Sequence, residues 1–157
     1  MINYIKGDLF KSKDDVLVHG CNCFCTMGGG VAKFIKQYYP LAYMADCKTR
    51  PSDKDKLGSY TFVELKHYFY PERMITIVNA YTQYDFYGKD DLFEYDAFRT
   101  VLKKIKKEFS ENSICMPKIG AGLAGGDWNR IEQIINEEFP DKQINIFTQG
   151  LFADTLR

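Results

Sequence analysis

Two stretches of this chain place clustered glycines between a strand pattern and a helix pattern, and that arrangement narrows the folds open to it. In the first, Val16-Leu17-Val18-His19-Gly20 runs through three cysteines into Gly28-Gly29-Gly30; apolar Val31, Phe34, Ile35, Tyr38 and Tyr39 then recur at helical spacing up to Pro40. In the second, Pro117-Lys118-Ile119-Gly120-Ala121-Gly122-Leu123-Ala124-Gly125-Gly126-Asp127 separates a strand pattern at 113–116 from a helix pattern that starts at Trp128. Glycine admits φ > 0 and lets a ligand approach the main chain closely. Turn amides and helix N-termini present unpaired N–H groups that attract anions. Three glycines in a row exceed what a tight turn requires. The pair of loops therefore reads as a clamp for the two phosphates of a diphosphate.

The rest of the chain alternates strand and helix. Strands are predicted over 2–5, 15–19, 59–65, 73–80, 113–116 and 143–147, and helices over 30–39, 41–48, 94–109 and 128–139. In the third helix Tyr95, Phe98, Leu102, Ile105 and Phe109 form one apolar face, with Lys103, Lys104, Lys106 and Lys107 largely on the other. That lysine run reads as a solvated face or an interaction patch. The stretch 50–56 reads as a charged surface loop, and 150–157 as a tail after a single domain over 1–149. Strands separated by helices imply an α/β fold with a mostly parallel sheet covered on both faces. Ligands of such sheets bind at the carboxyl ends of the strands, where both glycine loops lie.

Composition closes off several function classes. With 157 residues and 45% hydrophobic content, the chain is long enough for one well-buried core. No apolar run approaches the roughly 20 residues of a bilayer span, and the N-terminus lacks a signal-peptide pattern. A cytoplasmic location and no membrane partner are the default expectations. Five cysteines, an odd number without scaffold spacing, suit reduced thiols. The 21 basic and 21 acidic side chains cancel, so binding of a long nucleic-acid polymer through phosphate neutralisation is not expected. The first loop lacks the Lys-Ser/Thr of a triphosphatase loop and the spacing of a dinucleotide fingerprint.

Several residues near the loops carry chemistry, each with a plainer alternative. Asp127 directly precedes a helix, so it is an N-cap, a base acting on water, or both. His19, at the end of an apolar strand, is a core histidine or a proton donor beside the glycine loop. Cys21, Cys23 and Cys25 lack the usual zinc spacing and read as buried small side chains, so no metal and no cofactor are expected. The segment ending the strand at 73–80, with Tyr81 and Thr82 as ligand contacts, adds amides and an aromatic ring to the same edge. Asp8, just past the first strand, starts a turn or accepts a hydrogen bond from an adenine amino group.

Gly7-Asp8-Leu9, His19-Gly20-Cys21-Asn22 through Gly28-Gly29-Gly30-Val31-Ala32, Val78 to Gln83, and Pro117 to Trp128 resemble the macrodomain family in the order expected of it. Within the family the chain is similar to the small stand-alone branch of ADP-ribose 1''-phosphate phosphatases and terminal ADP-ribose glycohydrolases. The resemblance implies a three-layer αβα fold with a central mixed, largely parallel sheet that binds ADP-ribose at one end. It implies that Asp8 holds the adenine amino group with Leu9 beside it. Gly28, Gly29, Gly30 and Val31, with Ile119, Gly120, Ala121, Gly122, Leu123 and Ala124, would cradle the diphosphate, and Asn22 would meet the distal ribose. His19, Asn22 and Asp127 become the catalytic candidates. The glycohydrolase branch carries a lysine on the strand matching 75–82 and an aspartate directly after Gly-x-Gly-Leu. Here 75–82 holds no lysine and Ala124 follows Leu123.

The expectation is a metal-independent phosphomonoesterase that converts ADP-ribose 1''-phosphate to ADP-ribose, acting as a monomer. Removal of ADP-ribose from protein or nucleic acid, and non-catalytic reading of ADP-ribose, are the alternatives.

Overall fold

The computed structural model describes residues 1–88 and 91–148. Ten elements follow in order: β1 (Ile2–Ile5), β2 (Val16–Cys21), α1 (Gly30–Tyr38), α2 (Pro40–Cys47), β3 (Tyr60–Lys66), β4 (Met74–Tyr81), α3 (Tyr95–Glu108), β5 (Ile114–Met116), α4 (Trp128–Glu138) and β6 (Ile144–Phe147). The strands form one sheet in the order β1-β6-β5-β2-β4-β3. Every pairing is parallel except β3 with β4, which the turn at 67–73 makes antiparallel. The sheet is therefore mixed and largely parallel, as expected. The tail at 150–157 lies outside the described residues.

Alternation along the strands builds the three layers. Val16 and Val18 of β2 and Val78 and Ala80 of β4 face α3 and α4, packing against Phe98, Leu102, Ile105, Ile131 and Ile135. Leu17 and Cys21, with Ile75, Ile77 and Tyr81, face α1 and α2, where Val31, Ile35 and Ala42 meet them. Both faces of β2, β4 and β5 are covered, which is why these strands read as nearly continuous apolar runs. Complete burial of one such Leu or Ile side chain stabilises by roughly 1.5–3 kcal/mol.

Two boundaries differ from the sequence reading, and both matter. Pro40 does not merely stop α1. It opens α2 at the first helical position, where its missing N–H costs nothing. Strand β2 continues two residues past His19 because Gly20 pairs with Ala80 and Cys21 with Tyr81 of β4. His19 thus sits inside the sheet. The loop at 50–56 is not wholly surface either. Lys56 is buried, its Nζ donating to Thr49 Oγ1 at 2.8 Å and lying 4.9 Å from the Tyr81 ring centroid.

Strands β2 and β5 are neighbours, yet β2 leads to α1 on one face and β5 to α4 on the other. A crevice opens where neighbouring connections diverge in this way, at the carboxyl ends of the strands.

Candidate functional site

The crevice is a cleft of about 410 Å³, within the range of small-molecule sites. One wall is Gly28, Gly29, Gly30 and Val31 at the start of α1; the other is Ile119, Gly120, Gly122, Leu123 and Ala124. Gly20, Cys21 and Asn22 lie between them. The walls nearly meet, since a methyl group on Gly29 would come within 2.8 Å of Leu123 Cδ1.

Main-chain donors dominate both walls. Gly29 is the N-cap of α1 and supplies no side-chain oxygen, so the first-turn amides are left for another acceptor. The amides of residues 28–32 have no acceptor among the described residues. In the second loop Ile119, Ala121, Gly125 and Gly126 donate to carbonyls of their own loop, whereas the amides of Gly120, Gly122, Leu123 and Ala124 find none among the described residues. Two groups of unpaired N–H donors therefore lie along the cleft, one reinforced by the positive end of a helix.

Asn22 lines the cleft, but its amide is committed to its own loop. Its Nδ2 donates to Thr26 Oγ1 at 2.7 Å and Thr26 O at 3.2 Å, and its Oδ1 accepts from Phe24 N at 2.8 Å. These bonds brace a turn in which Cys25 takes φ +61°. The three thiols of the loop diverge: Cys23 Sγ approaches Gln83 O at 3.5 Å and Cys25 Sγ approaches Asp46 O at 3.3 Å. Among the described residues no group of three or more His, Cys, Asp or Glu side chains could hold a metal ion.

The structure does not bring His19 into the cleft. With Leu17 and Cys21 it points into the α1–α2 layer, where it is fully buried. Asn79, its partner in the β2–β4 register, donates through Nδ2 to Ala42 O and Thr61 Oγ1, which orients Asn79 Oδ1 to accept from His19 Nε2–H at 2.7 Å. Burial, only partly opposed by that bond, lowers the imidazole pKa to about 4. His19 is a neutral brace between layers, because the extension of β2 carries it below the strand end. Cys21 lines the cleft, but burial and, secondarily, the Asp46 carboxylate push its thiol pKa well up. Its sulfur lies 3.8 Å from His19 Nε2 and 3.9 Å from Nδ1, long contacts even for sulfur, and the raised pKa keeps it a thiol rather than a nucleophilic thiolate.

Asp127 is likewise outside the cleft lining. It is the exposed N-cap of α4, accepting from Asn129 N at 3.0 Å, while its own N–H donates to Tyr95 Oη at 2.9 Å. Asp8 caps the short 3-10 turn at Leu9–Lys11 through Phe10 N at 3.0 Å, and Leu9 is buried. Tyr81 is buried with its hydroxyl donating to Asp46 Oδ1 at 2.7 Å, and Thr82 is buried beside it. Asp8, Leu9, Tyr81, Thr82 and Ala121 do not line the cleft either. Thr26, Gln83, Phe86 and Lys118 do line it, although none is among the contacts the sequence predicts. Lys118 lies inside the second glycine loop, and Gln83 three residues past the strand predicted over 73–80.

The family model of the Macro domain matches residues 18–135. The chain belongs to the macrodomain family. An uncharacterized 17.5 kDa protein from the tk-vs intergenic region of Enterobacteria phage T4 is 38% identical over 144 residues, covering 87% of this chain and 88% of its own length. An ADP-ribose 1''-phosphate phosphatase of Debaryomyces hansenii is 32% identical over 178 aligned positions, covering 94% of this macrodomain and 98% of itself. Among solved structures, the macrodomain of Mycobacterium tuberculosis DarG matches with a TM-score of 0.74 at 26% identity, over 94% of this chain and 97% of that one. No helix among the described residues of this macrodomain is long and apolar enough to cross a membrane.

Proposed function

We propose that this macrodomain binds ADP-ribose in the cleft and hydrolyses ADP-ribose 1''-phosphate to ADP-ribose and inorganic phosphate. The observation that carries the reading is the opposed pair of unpaired main-chain donor sets, in loops that touch at Gly29 and Leu123. The Debaryomyces hansenii relative, which bears the phosphatase name and aligns over nearly the whole chain, supports the choice of substrate.

Phosphoryl transfer needs chiefly positioning and stabilisation of charge on the equatorial oxygens, with little covalent help from the protein. The first-turn amides of α1 and those of Gly120, Gly122, Leu123 and Ala124 supply both. A water oxygen attacks phosphorus in line, the bond from phosphorus to the anomeric oxygen breaks, and a proton from the water passes to that oxygen. Among the described residues no carboxylate or imidazole lines the cleft, so the step is assigned to the donors rather than to a side-chain base.

The test is incubation of the purified protein with ADP-ribose 1''-phosphate, with and without a chelator. Phosphate release at equal rates in both is expected. Calorimetric binding of ADP-ribose without release would make the protein a reader. Release of ADP-ribose only from a modified protein or nucleic acid would reassign it as an ADP-ribosyl hydrolase.

Asp127→Asn separates cap from base. Asparagine also caps helices well, so stability is expected within about 0.5 kcal/mol of wild type and phosphate release within about threefold. A hundredfold loss of release with an intact fold would restore the carboxylate as the base.

A further inference from the structure

We propose that Lys118 is the residue through which this cleft reads ligand charge, its ammonium balancing the phosphates of a bound nucleoside diphosphate. The proposal rests on the ADP-ribose reading above and makes Lys118 the determinant of affinity for charged over uncharged ligands. Among the described residues, Lys118 is the one lining residue with a charged side chain; the others are glycines, apolar residues, three uncharged polar residues and a cysteine. Its backbone is held in a turn by Ile119 N donating to Pro117 O at 2.7 Å and Ala121 N to Lys118 O at 3.2 Å. The side chain therefore springs from a fixed point beside the unpaired amides of Gly120 and Gly122.

Among the described residues the ammonium has no ionic partner to give up. The salt bridges among the described residues join Arg99 and Lys103 to Glu137 and Glu138. Lys118 is exposed, and its Nζ lies 5.6 Å from the centroid of the Trp128 ring. A cation resting over an indole at an exposed site is held weakly. A phosphate oxygen in the cleft offers it a charge-assisted hydrogen bond instead, which is the stronger interaction.

Trp128 is the only tryptophan in the chain, so its emission reports the departure of the ammonium. Titration of the full chain with ADP-ribose is expected to change Trp128 fluorescence. In Lys118→Met the affinity for ADP-ribose, measured by calorimetry, is expected to fall about 10- to 50-fold. Lys118→Arg retains most of it, and adenosine, which carries no phosphate, binds wild type and Lys118→Met alike. Equal ADP-ribose affinity in wild type and Lys118→Met overturns the proposal and leaves the functional reading standing. A parallel loss of adenosine affinity also overturns it, because the residue would then act on the shape of the cleft. Failure of the wild-type protein to bind ADP-ribose overturns both.

Discussion

Alanine at Gly120 is expected to destabilise the fold by about 2–4 kcal/mol. Gly120 holds φ +78°, a left-handed conformation that costs a residue with a Cβ roughly 1–2 kcal/mol. The added methyl would also sit 2.4 Å from Phe93 Cδ1 and 2.5 Å from Cε1. Phe93 is buried and packed edge-on against Tyr95 and at a tilt against Phe98, so its ring has nowhere to retreat without disturbing the α3 layer. Forced overpacking adds about 1–3 kcal/mol. Gly28→Ala is the control, since nothing lies within 4 Å of a methyl there. Urea unfolding of both variants checks the prediction, and equal midpoints would show that the second loop yields freely.

Between pH 6.5 and 4 the protein is expected to lose about 3 kcal/mol of stability through His19 alone. The imidazole pKa is depressed to about 4 in the fold and lies near 6.5 in an unfolded chain. Below pH 6.5 the unfolded state takes up the proton while the folded state refuses it. The stabilisation is complete above the unfolded pKa and disappears as pH falls to the folded one. His19→Gln removes the titration but keeps a side chain able to hydrogen-bond Asn79. The wild-type curve of unfolding free energy against pH should therefore be steeper in this window, by up to about 1.4 kcal/mol per pH unit. Comparison of the two proteins cancels the titrating groups they share. Parallel curves, or an NMR titration that protonates His19 near pH 6.5 in the folded protein, would refute the assignment.

Much of the architecture was legible because its signals are local. The spacing of Tyr95, Phe98, Leu102 and Ile105 gives α3 whatever it packs on. The buried runs of β2 and β4 announce strands covered on both sides. The side chains that reach the cleft were harder to read. Asn22 was placed at the distal ribose by resemblance, yet its amide braces Thr26 and Phe24. Lys56 sat in a charged stretch that reads as solvated, and only the approach of Thr49 and Cys25 encloses it. Lys118 is masked by its neighbours, because clustered glycines signal main-chain rather than side-chain chemistry.

The sequence by itself determined the order of strands and helices, the two glycine loops and the end of the sheet at which they meet, since periodicity and glycine act within a few residues. Tertiary structure decided which functional side chains face the ligand. Pairing of Gly20 and Cys21 with β4 extends β2 past His19 and turns its imidazole into the helix layer, and capping of α4 keeps Asp127 at the surface. Both depend on hydrogen-bond partners distant in sequence or on the final direction of a helix, so neither can be read from local pattern.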